Sequence, residues 1–149
     1  MTDFYEEVKS TVDKLAVDIA NSLSIGFVEL DDTVNVDEKL ASPDDLIVYQ
    51  MVGMEEAPID PLWNLSLQIG GKTTGDSANY DLAAIIGAIR QVVYKAGSID
   101  IYDYSQVTPQ TVKEGYIYFS EVAVDPQAFD GASGIRMLSV SGSVVRTNL

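Results

Sequence analysis

The 149-residue chain contains no cysteine and no histidine. The first absence excludes disulfides, thiolate metal sites and a cysteine nucleophile. The second removes the serine–histidine–aspartate triad, imidazole metal ligands and the commonest general base near neutral pH. Any catalysis would have to rest on carboxylates, lysine, tyrosine or a bound hard cation. Positive charge is scarce as well: 9 Lys and Arg stand against 23 Asp and Glu, a formal net charge of -14. A surface of that sign repels nucleic-acid phosphates and anionic lipids, so neither is expected as a tight partner. No apolar run approaches the roughly 18 residues of a membrane-spanning helix. The opening MTDFYEEVKS is acidic and polar, unlike a secretory signal. The expectation is a single domain, residues 1 to 149, that stays in the cytoplasm where it is made.

What is present is strongly periodic. Phe4, Val8, Val12, Leu15, Ile19 and Leu23 recur every three or four residues and predict a helix over 3–23. Asp3 and Glu6 have capping-box spacing, and Gly26 is the expected stop. A short strand over 27–30 follows. The acidic stretch DDTVNVDEKLASPDD reads as an exposed loop, because its acid pairs lack calcium-loop spacing and a central glycine. LIVYQMV, 46–52, predicts a buried strand, and GMEEAPIDP, 53–61, a connection. In LWNLSLQI, 62–69, Trp63, Leu65, Leu67 and Ile69 alternate with Asn64, Ser66 and Gln68, as in a strand with one face on the core. A second helix is predicted over 78–96 by Leu82, Ile85, Ile86, Ile89, Val92 and Val93. Gly87 in its middle marks either close packing against a strand or a tolerated glycine. Strands near 98–105, 115–124 and 134–147 complete the chain. The fold class predicted is α+β: a mainly antiparallel sheet of five to six strands with two helices packed on one face.

One segment invites a chemical reading. Gly70-Gly71-Lys72-Thr73-Thr74 stands between a strand and a helix, where phosphate-binding loops occur. A Walker A loop would need its first glycine at position 66, which is Ser66, inside a well-patterned strand. Gly70, Gly71 and Gly75 also lack dinucleotide-motif spacing. The segment is therefore expected to be an exposed glycine connector, able to touch another protein. Glu55-Glu56 and the tyrosines Tyr102, Tyr104, Tyr116 and Tyr118 form no catalytic constellation, since adjacent strand residues point to opposite faces and the tyrosines suit a sheet surface. No catalytic, cofactor-binding or metal-binding residue is assigned.

The order of elements resembles the tail terminator proteins of long-tailed bacteriophages, the minor tail protein U type. The resemblance rests on the N-terminal helix Phe4 to Leu23 and the central strand DLIVYQMV. It continues with PLWNLSLQI running through a polar loop into the helix NYDLAAIIGAIRQVV, and with the closing strand GIRMLSVSGSVVRT. It covers nearly the whole chain but includes no catalytic motif. It implies a non-enzymatic virion protein of the tail or neck, forming a homohexameric ring. Such a ring caps the tail tube, stops its polymerisation and joins the neck or head-tail connector protein. A neck or connector protein, a tube subunit, or a carboxylate- or metal-dependent enzyme are the alternatives. The acidic stretch 31–45 and the segment 70–76 have no counterpart in the family pattern. Six copies at -14 each carry about -84, and a negative channel wall would let DNA slide through without binding it. On that reading Asp31, Asp32, Asp44 and Asp45 flank the channel, and Gly70 to Thr74 meet the tube or the next subunit.

Overall fold

A computed structural model describes residues 4–30, 38, 45–56, 62–73, 78–95, 98–102, 104, 113–130 and 135–147. Helix α1 spans Phe4–Leu23, strand β1 Gly26–Glu29, β2 Leu46–Glu56 and β3 Leu62–Lys72. Helix α2 spans Ala78–Lys95, followed by β4 Ser98–Ile101, β5 Gly115–Asp130 and β6 Ile135–Arg146. The strands form one six-stranded sheet in the order β1-β2-β3-β6-β5-β4. The predicted α+β class holds, with one difference. β1 and β2 run parallel, from Gly26↔Leu46 to Glu29↔Tyr49, while every other pair is antiparallel. A parallel pair needs a crossover of a dozen or more residues. The acidic stretch between Leu30 and Asp45 therefore has a topological reason for its length.

Both helices lie on one face of the sheet. Cross-strand register aligns Ile47, Tyr49 and Met51 with Gly71, Ile69 and Leu67 on that face. Val144 and Val140 continue it opposite Trp63 and Leu67, and Ile117 opposite Val144. Val8, Val12, Leu15 and Ile19 of α1 and Ile85 and Ile89 of α2 close over these residues in one buried cluster. Each fully buried aliphatic side chain contributes about 1.5–3 kcal/mol relative to exposure. The start of α1 is pinned by Phe4, whose ring lies 6.1 Å from that of Trp63 and 5.3 Å from the Arg146 guanidinium.

Two details differ from the sequence expectation, and a third decides between alternatives it left open. Helix α1 stops at Ser24, not at Gly26. Ser24 adopts φ 56°, Ile25 N–H donates to the Ala20 carbonyl (3.0 Å) and Ser24 N–H to that of Asn21 (3.2 Å). That is a Schellman cap built without glycine, and Gly26 instead opens β1. β2 runs on through Glu56, across a bulge between Met51 and Gly53 that leaves Val52 56% exposed. The segment 53–56, expected as connection, is strand. Finally, Gly87 meets nothing within 4 Å of where a Cβ would stand. It is the tolerated glycine of the two alternatives, and the close helix–strand packing occurs elsewhere.

Candidate functional site

That close packing is at Gly71. β3 does not end at Ile69; it continues through Gly70, Gly71 and Lys72, paired with Gly70↔Val48, Gly71↔Ile47 and Lys72↔Leu46 on one side and with β6 on the other. A Cβ on Gly71 would stand 2.6 Å from Cγ2 of Ile85, so the glycine lets α2 seat directly on the strand. The exposed connector expected here is corrected on this point. Gly70 and Gly71 are buried, Lys72 is 1% exposed and Thr73 is fully buried. Glycine and lysine are ordinary loop signals, but here one makes room for a helix and the other is engaged within the chain. A lysine so enclosed has no access to a phosphate or to a partner's surface in this conformation. Thr74 lies outside the described residues.

The four acids of the predicted channel are mostly beyond description: Asp31, Asp32 and Asp44 lie outside the described residues, and Asp45 is half-buried. Their flanks are informative. Leu30 N–H donates to the Tyr49 carbonyl (2.9 Å), while Asp45 precedes Leu46, the partner of Gly26. The two flanks thus leave the β1–β2 pair at opposite ends, about 17 Å apart at the rise of a strand.

A cleft that the sequence reading did not assemble lies between α1 and β4. Its volume is about 410 Å³, and Lys14, Asp18, Asp100, Tyr102 and Tyr104 contribute its polar and aromatic lining. It exists because the chain leaving β4 is tied to the helix. Ser10 and Thr11 are buried on α1, each with its hydroxyl close to the Glu7 carbonyl (2.8 and 2.9 Å) and to the Tyr102 carbonyl (3.3 and 3.2 Å). Tyr104 N–H donates to Ser10 Oγ at 3.1 Å. The two tyrosine rings meet edge to face at 5.9 Å. The tyrosines predicted to cover a sheet surface divide here: Tyr116 and Tyr118 are on the sheet, Tyr102 and Tyr104 line the cleft.

The charges of the cleft are paired. Lys14 binds Asp18 at 2.5 Å, and Lys113 binds Asp100 at 2.8 Å. These hydrogen bonds push both ammonium groups above their ordinary pKa. Burial pushes the Tyr104 phenol up, with Tyr102, Asp18 and Asp100 adding to it. Such a cleft offers paired charges and tyrosine hydroxyls to a ligand. Among the described residues, no group of three or more His, Cys, Asp or Glu could hold a metal ion.

A second polar cluster ties α1 to the sheet. Lys9 bridges Asp13 (2.5 Å) and Glu29 (2.8 Å), and the Tyr49 hydroxyl donates to Asp13 at 2.9 Å. Burial lowers the Lys9 pKa, but the hydrogen bonds to Asp13 and Glu29 outweigh it and the net displacement is upward. Tyr49 is pushed far above the ordinary tyrosine range by burial, then by Asp13. The i,i+4 spacings Lys9–Asp13 and Lys14–Asp18 are visible in the sequence; that one would recruit Glu29 and Tyr49 is not. No protein-family model and no curated protein matches this chain.

Proposed function

We propose that this protein is a structural component of a bacteriophage tail or neck, a tail terminator that closes into a ring on the end of the tail tube. The observation that carries the reading is the order of elements in one continuous sheet: α1, then β2, β3, α2 and the long closing strand β6. This is the order on which the resemblance rests, and the α+β layout with both helices on one face agrees with it. A second feature suits assembly. β4 pairs with Gly115–Tyr118 of β5, whereas β5 runs on beside β6 to Asp125↔Met137 and, after an irregularity, meets it again at Asp130↔Ile135. β6 is itself paired with β3 as far as Lys72↔Ile135, so past Tyr118 β5 is the outer strand of the described sheet, where a neighbour could add a strand or a contact.

The acidic balance supports passage of DNA without capture. The partners in this reading are further copies of the chain, the tube protein and a neck or connector protein. Contact with them falls to surfaces other than Lys72 and Thr73, which are enclosed. The test is stoichiometry and length control. Native mass spectrometry of the purified chain should give one closed ring, with six copies expected. Added to polymerising tube protein of its own tail, the ring should shorten the tubes and cap one end in electron micrographs. Open-ended polymerisation of the chain by itself would make it a tube subunit instead. Tubes of unchanged length would remove the terminator reading.

A further inference from the structure

The cleft between α1 and β4 touches Ser98, Ile99 and Asp100 in succession. Successive side chains of a strand point to opposite faces. Ile99 packs toward the core, while Asp100 lies opposite Tyr116 on the other face. A cleft that reaches all three therefore runs along the edge of the strand, where its main-chain N–H and C=O groups lie. β4 is the last strand of the sheet, and β5 takes one side of it. Among the described residues, no strand pairs with the other side. Across the cleft from that edge stand Leu15 and Asp18 of α1, with Tyr102 and Tyr104 beside them.

The same cleft is rich in acceptors. Lys14 engages Oδ1 of Asp18 and Lys113 engages Oδ1 of Asp100, so each ion pair uses one of two carboxylate oxygens. Both carboxylates are about half exposed, at 54% and 48%. Their second oxygens, the phenol oxygens and the outward carbonyls of β4 all suit a donor. In a chain of net charge -14, a cation brings such donors at least cost. Aromatic faces beside carboxylates fit a guanidinium, which bonds carboxylates bidentately and stacks on rings.

We infer that this cleft receives an extended, arginine-bearing segment of another protein, which adds to β4 as a further strand. Main-chain bonds along Ser98–Ile101 set its register, and its alternate side chains meet α1 on one face and Asp100 on the other. The volume, about 410 Å³, suits a short segment and not a folded surface. Ser10 and Thr11 already hold the Tyr102 main chain, so little ordering is left for the complex. Capture of the segment does not require the proposed ring, and the two stand or fall separately.

The probe is an acetylated, amidated hexapeptide of alternating arginine and valine, with a glutamate–valine peptide as its counterpart. Amide NMR spectra of the full chain should shift saturably at Ser98 to Tyr102 and at Tyr104, half-complete at or below about 1 mM. The arginine peptide with every main-chain nitrogen methylated keeps its charge but cannot donate to β4. It should bind about 10-fold more weakly or worse. Asp18→Asn combined with Asp100→Asn should weaken the unmodified peptide by about 10-fold. Glu55→Gln, exposed on β2, removes a charge elsewhere and should leave binding within about twofold. Circular dichroism verifies the fold of each variant, and the methylated peptide decides on wild-type protein should the double variant not fold. No saturable shift up to about 5 mM would overturn the inference. So would equal binding of the glutamate or the methylated peptide, or equal binding to a folded double variant. Self-association of the chain that the arginine peptide displaces would make the occupant a second copy and overturn the assignment to another protein. Capped, shortened tubes without peptide binding would remove the strand addition and leave the terminator reading intact. Peptide binding at β4 with tubes of unchanged length would uphold the strand addition and remove that reading.

Discussion

Leu65 and Ser66 are adjacent on β3, and the pleat sends them to opposite faces. Leu65 enters the core beneath the helices, with Leu67 and Ile69 above it and Met54 of β2 in register. Ser66 faces outward between Gly53 and Ser141. One face is apolar and sealed by α1 and α2; the other exposes Asn64 and Ser66 along the middle of β3 and buries Leu46, Val48, Gly70 and Lys72 at its β2–β3 end. The contrast separates two demands on one sheet. Stability is concentrated on the covered face, and the exposed middle of the other is free to vary in chemistry without unfolding the chain.

The sharpest way to break this contrast is a cavity on the covered side. Leu65→Ala should cost about 2–5 kcal/mol, read as a fall in urea midpoint with unchanged slope. If it cost no more than a surface change, the division of labour between the faces would be wrong. Gly71→Ala comes next. Its methyl would meet Ile85, a β-branched side chain held in a helix and slow to yield. About 1–3 kcal/mol of destabilisation is expected from overpacking. Gly71→Ala should cost less in an Ile85→Ala background, where the crowding Cγ2 is gone, than in wild type; an equal cost in both would place the strain elsewhere.

How much of this was legible in the sequence depends on whether the cause was local. The α1 stripe and the β3 alternation were, because periodicity records which face is buried. The parallel pairing of β1 with β2 was not, since a crossover leaves no local mark on the strands it joins. Gly70 to Thr73 misled for a related reason. Glycine beside lysine signals a loop when only neighbours in sequence are considered, and the helix that needs the glycine's empty side is fourteen residues on, at Ile85. Lys72 is buried and sits between Leu46 and Ile135, both far away in the chain, and no feature of GGKT records that. The cleft at Tyr102 and Tyr104 was hidden likewise: Ser10 and Thr11 are about ninety residues distant. Gly87 was readable only as a pair of alternatives.

A smaller effect concerns the polar edge of the covered face. Tyr49→Phe should cost about 1 kcal/mol at neutral pH by removing the hydrogen bond to Asp13. It should also change the alkaline limb. The folded state holds the Tyr49 proton well above the ordinary 10.0, so unfolded protein ionises first and stability falls as pH rises past that value. Lys9 acts in the same direction, since its raised pKa keeps the paired ammonium protonated in the folded state above 10.5, where the unfolded state loses its proton. Denaturation followed from neutral to strongly alkaline pH should show a shallower decline in Tyr49→Phe than in wild type. An identical decline would place the alkaline sensitivity elsewhere. Gly87→Ala, by contrast, should stabilise by up to about 1 kcal/mol, because the methyl enters open space and the helix gains propensity.

The smallest expected effect is the most telling for the two faces. Ser66→Ala, next to the residue whose truncation costs several kcal/mol, should change stability by no more than about 0.5 kcal/mol. The side chain is exposed, so its hydroxyl exchanges one water contact for none and leaves no buried group unpaired. A loss well above that in dilute protein would mean that Ser66 supports the fold and that its outward chemistry is structural. A null result in dilute protein, with a concentration-dependent Tm that Ser66→Glu abolishes, would place its contribution in an intermolecular contact. Mass action raises the apparent stability of a self-associating fold only as protein is added, so the same thermal melts at two concentrations separate the two cases.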